Sequence, residues 1–276
     1  TDNDETPRSI RALHAKTFME AALQRGFTTL RDAGGADKSI YDALALGLIT
    51  GPRLFYSGRA ISQTGGHGDF RNLYPTECCA CEYAGSISVI ADGSDAVRAA
   101  AREELRCGAH QIKIMASGGV ASPSDPIWML QYADEEIIAV VEEAARCRTY
   151  VMAHAYTADA ITRCLDLGVR SIEHGNLIDT PAAKLLVEKN AFIVPTLATY
   201  HALAEYGRDW GFPVASLEKV QQVKTAGLEA LSICKQENAS IGFGTDLLGS
   251  LHKYQCKEFT LRAEVLPPLD ILRSAT

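Results

Sequence analysis

Apolar positions recur at helical spacing over residues 8–25, at Ile10, Leu13, Phe18 and Ala22, and the pattern stops at Gly26. That spacing predicts a helix. Phe27-Thr-Thr-Leu-Arg-Asp32 then reads as a strand ending at Gly34-Gly35, and a short helix is predicted near 37–48. Arg53-Leu-Phe-Tyr-Ser-Gly-Arg-Ala-Ile61 is the next strand. Residues 62–92 follow without a clear period, and a loop of that length in a compact chain is usually functional. Beyond it the alternation is regular. Helices near 94–107, 134–148, 157–167, 180–190 and 216–238 lead into strands at 110–116, 150–155, 169–174, 192–197 and 240–246. Thr180 as cap with Pro181 at the first helical position marks the start of the 180–190 helix.

Serial βα units imply a parallel sheet with right-handed crossovers. Seven strands can be counted, and an eighth before residue 1 would close a (β/α)8 TIM-like barrel. The expected fold is therefore α/β, a single barrel domain over residues 1–276, incomplete at both ends. An open doubly wound sheet is the alternative, but its G-x-G-x-x-G fingerprint is absent. The chain lacks an initiator Met and its last helical pattern is cut off at Thr276, so it is read as the interior of a longer protein.

Composition narrows the class. Hydrophobic residues make up 47% and charged residues 22%, which is ordinary globular usage. No apolar run approaches the roughly 18 residues of a membrane span. The net charge is -7 with Lys and Arg scattered, so neither a nucleic-acid partner nor a membrane is expected. Eight cysteines in a chain this size point to reduced thiols and a cytoplasmic setting. The cluster Cys78-Cys79-Ala-Cys81 has no second pair at zinc-finger spacing and reads as a loop with reduced thiols.

Chemistry in such barrels sits at the C-terminal ends of the strands. Those ends here read Arg31-Asp32, Ser62 to His67, Lys113, His154, His174, Thr196 and Asp246. In Ile112-Lys-Ile-Met115 the isoleucines share one face and Lys113 and Met115 the other, which points Lys113 into the barrel. An unpaired ammonium there is costly. Lys113 is thus a buried partner of a carboxylate, a Schiff-base lysine, or a lysine converted to a metal-binding carbamate. His154 and His174 end consecutive strands, close enough to meet one ion. Alone, each would more often be a hydrogen-bonded core residue; beside an inward lysine they read as ligands. Glu173 precedes His174 and is expected on the opposite face, as a partner for the outer layer. Asp246 ends the last strand between glycines and a loop, where a carboxylate can bind a cation, exchange a proton, or simply cap the loop.

Taken in order, these residues resemble the metal-dependent amidohydrolase superfamily. Arg31-Asp-Ala-Gly-Gly35, Thr64-Gly-Gly-His-Gly-Asp69, Lys113-Ile-Met-Ala-Ser-Gly-Gly119 and Ile172-Glu-His-Gly-Asn176 look like its imidazolonepropionase-like branch, including the prolidase-like dipeptidases. The resemblance implies two divalent metal ions of the Zn²⁺ type, with Lys113 carboxylated by CO₂. Lys113, His154, His174 and Asp246 would be the ligands. The superfamily's His-x-His pair is missing from the seven histidines, as is its small accessory β-sandwich; both are expected before residue 1 or beyond the end. The resemblance further implies hydrolysis of a peptide or amide bond by a metal-bridging hydroxide, with Asp246 passing the proton to the leaving amine. His67 would act in catalysis and, with Tyr200, His201 and Arg31, hold a dipeptide's free carboxylate, Xaa-Pro first; residues 62–92 would cover the mouth. An Arg- or Lys-terminal dipeptidase using Asp69, Asp125 or Glu205, a cyclic-amide hydrolase, and a metal-deficient scaffold homologue stay open, as does homo-oligomerisation.

Overall fold

The computed structural model describes residues 8–71, 87–122 and 125–276. The first helix, α1 (Arg8–Gln24), leads into β1 (Thr29–Arg31). Asp37 then opens α2 (Lys38–Ala45) by accepting from the Ser39 and Ile40 amides, which fills two of the donors a helix start leaves unpaired. β2 (Arg53–Phe55), β3 (Ala60–Ser62) and β4 (Ser88–Ile90) follow. After them come α3 (Ser94–Arg106), β5 (Ile112–Met115), α4 (Asp134–Arg146), β6 (Val151–Thr157), α5 (Ala158–Asp166), β7 (Ser171–Leu177), α6 (Thr180–Glu188) and β8 (Phe192–Val194). The chain continues through α7 (Leu197–Tyr206), α8 (Val214–Gln236), β9 (Ser240–Ile241), a 3₁₀ turn at Gly249–Tyr254, α9 (Lys257–Arg262) and α10 (Pro268–Ala275).

Among the described residues the named strands all pair in parallel. One sheet pairs β1 with β2; the other runs β4-β3-β5-β6-β7-β8-β9. A main-chain bond carries the wall from one to the other: His110 N, just before β5, donates to Tyr56 O, just after β2, at 2.9 Å. This is an α/β barrel of the TIM type. The outward strand positions Ile61, Ile112, Ile114, Ala153, Ala155, Ile172 and Ile193 pack against Val97, Ile137, Val140, Ile161, Leu165 and Leu186 of the helices. At about 1.5–3 kcal/mol for each large aliphatic side chain, this ring holds the helices on the sheet. The inward positions are left for polar side chains.

Four details depart from the sequence reading. The strand expected over 53–61 breaks at Gly58, which takes φ +72 with the Glu104 carboxylate pressed against its backbone; a Cβ there would come within 2.0 Å of Glu104 Oε2. That carboxylate bonds Arg59 N and Nε, so the break is where a helix-borne acid enters the wall. The region 62–92, expected as loop throughout, contains β4. Asp179, not Thr180, caps α6, its side chain accepting from Ala182 N at 2.9 Å. Finally, the segment after β8 is a full helix, α7, with Tyr200 and His201 inside it. The cluster Cys78-Cys79-Ala-Cys81 lies outside the described residues; Cys107, Cys147, Cys164, Cys234 and Cys256 are free thiols.

Candidate active site

Alternation along β5 and β6 points Lys113, His154 and Tyr156 into the barrel, because Ile112, Ile114, Ala153 and Ala155 face the helices. His174 arrives differently. Its register partner on β6 is Ala155, an outward position, while His154 pairs with Glu173. A left-handed backbone at His174, φ +76, turns its ring inward nevertheless. Glu173 therefore also faces inward, contrary to the outer-layer role expected for it. The ring centroids of His154 and His174 lie 4.6 Å apart.

His67 joins them from the segment after β3. Its ring stacks on His154 at 4.2 Å, and its Nδ1 meets Asp125 Oδ2 at 3.1 Å. Gln131 fixes the backbone, accepting from His67 N at 2.9 Å. Gly119 gives the ring its room, since a Cβ there would sit 2.1 Å from His67 Cε1. On the other side, the Tyr156 and Tyr200 hydroxyls are 2.7 Å apart, Thr196 Oγ1 reaches Tyr200 at 3.3 Å, and His174 Nδ1 meets Thr196 Oγ1 at 2.8 Å. A buried ion pair braces this corner: Arg262 bonds Glu258, Pro195 O and Gly242 O, while Glu258 accepts from Ala198 N.

Burial sets the charge states. It pushes His154 and His174 well below the usual imidazole range, and His67 and Lys113 push both the same way. Lys113 makes no hydrogen bond or ion pair among the described residues; burial lowers its pKa against the opposing fields of Glu173 and Asp246. Asp246 keeps an open face to solvent, yet the protein around it desolvates it and pushes its pKa up to about 6. Asp32, partly buried, is also raised to about 6 by burial, although its Oδ1 accepts from Gly34 N and Ala36 N. Tyr156 and Tyr200 are pushed up by burial. The well is thus a neutral donor set rimmed by carboxylates ready to take protons.

Two residues expected at the mouth are elsewhere. Arg31 is committed to Glu173, with bonds of 2.8 and 2.7 Å to its two oxygens and 2.9 Å to Ser171 Oγ. It lines a cavity of about 310 Å³ with Tyr150, Arg170 and Phe192, which lie at the N-terminal ends of their strands. The pull of Glu173, an inward acid, draws it to the floor. His201 follows Tyr200 on α7, so it points roughly 100° away around the helix. It is half-buried, and burial, then Lys224 and Lys257, lower its pKa. Of the acids expected to read a cationic substrate, Asp69 is engaged by Arg71, Asp125 by His67, and Glu205 by Tyr206 and Lys257. Tyr156 and Gln131 were not anticipated. Tyr156 was within reach, two residues beyond His154 on the same strand face.

Residues 5–276 match the amidohydrolase family. The chain belongs to that family. This amidohydrolase is 34% identical over 285 residues to the ochratoxinase of Aspergillus niger, an alignment covering 98% of the chain but 58% of the relative's length. Among solved structures it resembles a prolidase complexed with N-methylphosphonate-L-proline, at TM-score 0.95 and 53% identity over 99% of this chain and 68% of that one. It also resembles a Xaa-Pro dipeptidase with methionine bound in its active site, at TM-score 0.88 and 31% identity over 98% and 68%. The chain thus spans little more than half the length of the curated relative it matches.

The family's metals can be tested against the side chains. Among the described residues, no three His, Cys, Asp or Glu side chains gather into a ready ion site. Two neutral imidazoles and a lysine that burial drives toward the free amine do have the chemistry of a ligand set, and Lys113 brings the count to three. The residues fit a divalent ion if the lysine takes part.

Proposed function

We propose that this chain is the catalytic barrel of a metal-dependent amidohydrolase that cleaves the amide bond of dipeptides or N-acyl amino acids carrying a free C-terminal carboxylate, with Xaa-Pro dipeptides first. The observation that carries the reading is the convergence of Lys113, His154, His174 and His67 in one buried well with Asp246 at its rim. Lys113, His154, His174 and Asp246 would hold divalent metal, two ions of the Zn²⁺ type, which when bound would supply Lewis acidity for the carbonyl and lower the pKa of water. Lys113 suits this as its carbamate: the neutral Nζ attacks CO₂, an N–C bond forms, a C=O electron pair moves to oxygen, and an N–H proton leaves to solvent.

The chain's own groups do the rest. With a pKa near 6, the Asp246 carboxylate can hold the proton released by the attacking water and pass it to the leaving amine. The Tyr156 and Tyr200 hydroxyls share one hydrogen bond, which leaves one O–H proton of the pair for a substrate oxygen. His67 presents its other ring nitrogen beside them. The hydroxyl donor suits a carboxylate or a tetrahedral oxyanion, and the His67 nitrogen, with Nδ1 given to Asp125, can accept from a substrate N–H or the attacking water. The engagement of Asp69, Asp125 and Glu205 disfavours a pocket for Arg- or Lys-terminated substrates. Of the segment expected to cover the mouth, the described residue His67 stacks on His154, which supports a role for it at the site. Among the described residues no helix is long and apolar enough to cross a membrane.

The test is a dipeptide library with varied C-terminal residues, each also supplied as its amide. Carboxylate recognition predicts that amidation costs roughly 1.5–3 kcal/mol, about 10- to 150-fold in kcat/KM. Equal rates on acids and amides would remove the donor role; preference for Arg or Lys over Pro would change only the substrate. Elemental analysis of the full-length protein should show His154→Ala and His174→Ala each losing metal, and unchanged content in both would sink the ligand assignment.

A further inference from the structure

The segment after β5 folds around one carboxylate. Asp125, fully buried, accepts on Oδ2 from His67 Nδ1 at 3.1 Å, from Gly119 N at 3.0 Å and from Gln131 Nε2 at 3.3 Å. Burial alone would raise its pKa, but His67, Ser122 and Lys219 outweigh that and hold it below the ordinary carboxylate range. An ionised carboxylate only accepts, so Nδ1 of His67 must carry the proton and Nε2 is left free to face the well. The orientation of His67 and its tautomer are therefore set by where Asp125 is held.

What holds Asp125 comes from far along the chain. Lys219, near the start of α8, donates from Nζ to Gly119 O at 3.0 Å, Ser122 O at 2.8 Å and Asp125 O at 2.7 Å. An ammonium has three donors, and all three are used on three carbonyl oxygens of one short segment. Those oxygens converge on a point that only a donor-rich cation can fill. Gly119 and Asp125 both border His67 as well: its ring fills the space a Gly119 Cβ would take, and its Nδ1 bonds Asp125.

We propose that Lys219 is a positioning residue: by tying Gly119, Ser122 and Asp125 to α8, it fixes the orientation and tautomer of the His67 ring over His154. Its kinetic consequence rests on the substrate role proposed for His67; its structural consequence does not. In the full-length, metal-loaded protein, the His67 ring resonances are identified by their loss in His67→Ala and then followed in Lys219→Met and Lys219→Gln. The His67 signals should shift and broaden in Lys219→Met, with Lys219→Gln, which keeps two donors, in between. The kcat/KM of Lys219→Met should fall about 10- to 100-fold, the scale of a misplaced active-site group. Combined with His67→Ala, it should add little to the loss from His67→Ala alone. If Lys219→Met does not fold, Lys219→Gln decides by the same readouts. Unchanged His67 resonances, or losses that simply add, overturn the proposal. Wild-type kinetics in His67→Ala would instead overturn the substrate role of His67, and the ring resonances would still decide the positioning.

Discussion

Two basic side chains of this barrel, Arg31 at its floor and Lys113 at its mouth, are treated in opposite ways. At the floor, Arg31 is gripped by both oxygens of Glu173 and by Ser171; burial opposes its charge, but Glu173 and Tyr150 outweigh burial and raise its pKa. At the mouth, Lys113 has no such partner among the described residues, and burial drives it toward the free amine. Glu173 stands between the two and bonds only the arginine. A guanidinium cannot be neutralised, so it has to be paired, whereas an amine can give up its proton and become a nucleophile or ligand. The barrel thus commits Glu173 to the cation that cannot be neutralised and leaves Lys113 without an ion pair among the described residues.

The most damaging way to break this contrast is to make the mouth resemble the floor. Lys113→Arg should abolish amide hydrolysis, with a loss beyond about 10³-fold in kcat, because removing the metal's contribution costs several kcal/mol. Lys113→Met should do the same, and activity retained in either would end the ligand role. Next in size is the reverse change. Arg31→Met leaves Glu173 buried without its partner, a defect of about 3–5 kcal/mol at a fully buried pair and about 2–3 here because a quarter of the Arg31 side chain stays exposed. Denaturant unfolding should show that loss, and adding Glu173→Gln should recover part of it.

A third test asks whether neutrality by burial marks the mouth alone. His252 stacks on Phe18 of α1 at 4.6 Å, and burial, helped by Arg25, lowers its pKa to about 4. Its folded pKa is below the unfolded value near 6.5, so its contribution is complete above that pH and is lost as pH falls toward 4. His252→Phe should flatten the stability–pH curve between those limits without changing turnover at neutral pH. The smallest effect belongs to His201→Ala. Its ring feels Lys224 and Lys257 and follows Tyr200 on α7, so its loss should alter kcat/KM less than about twofold; a larger drop on carboxylate substrates would bring it back to the mouth.

Much of this was open to reading along the chain. The helical spacing and glycine stops located the βα units, and alternation within Ile112-Lys-Ile-Met115 pointed Lys113 inward, because those rules concern neighbours a few residues apart. The errors came from single backbone angles and distant pairings. His174 reaches the site through a left-handed φ that breaks the alternation, so the rule that would send Glu173 outward fails there. Arg31 looked like a mouth residue because it ends a strand, but its partner Glu173 lies 142 positions away. The bonds from Lys219 to Gly119, Ser122 and Asp125 likewise span 94 to 100 positions and leave no local signature. Tyr200 and His201 are adjacent letters, and only the helix containing them separates their directions.

The paired tyrosines carry a consequence for observing the protein. Tyr156 and Tyr200 are fully buried, and burial makes both phenols resist ionisation. Phenolate absorbs ultraviolet light at longer wavelength than phenol. An alkaline titration should therefore give a late, steep absorbance rise from this pair when the well opens, well after that of free tyrosine titrated alongside. The lag between them is a label-free clock for exposure of the site, readable without substrate.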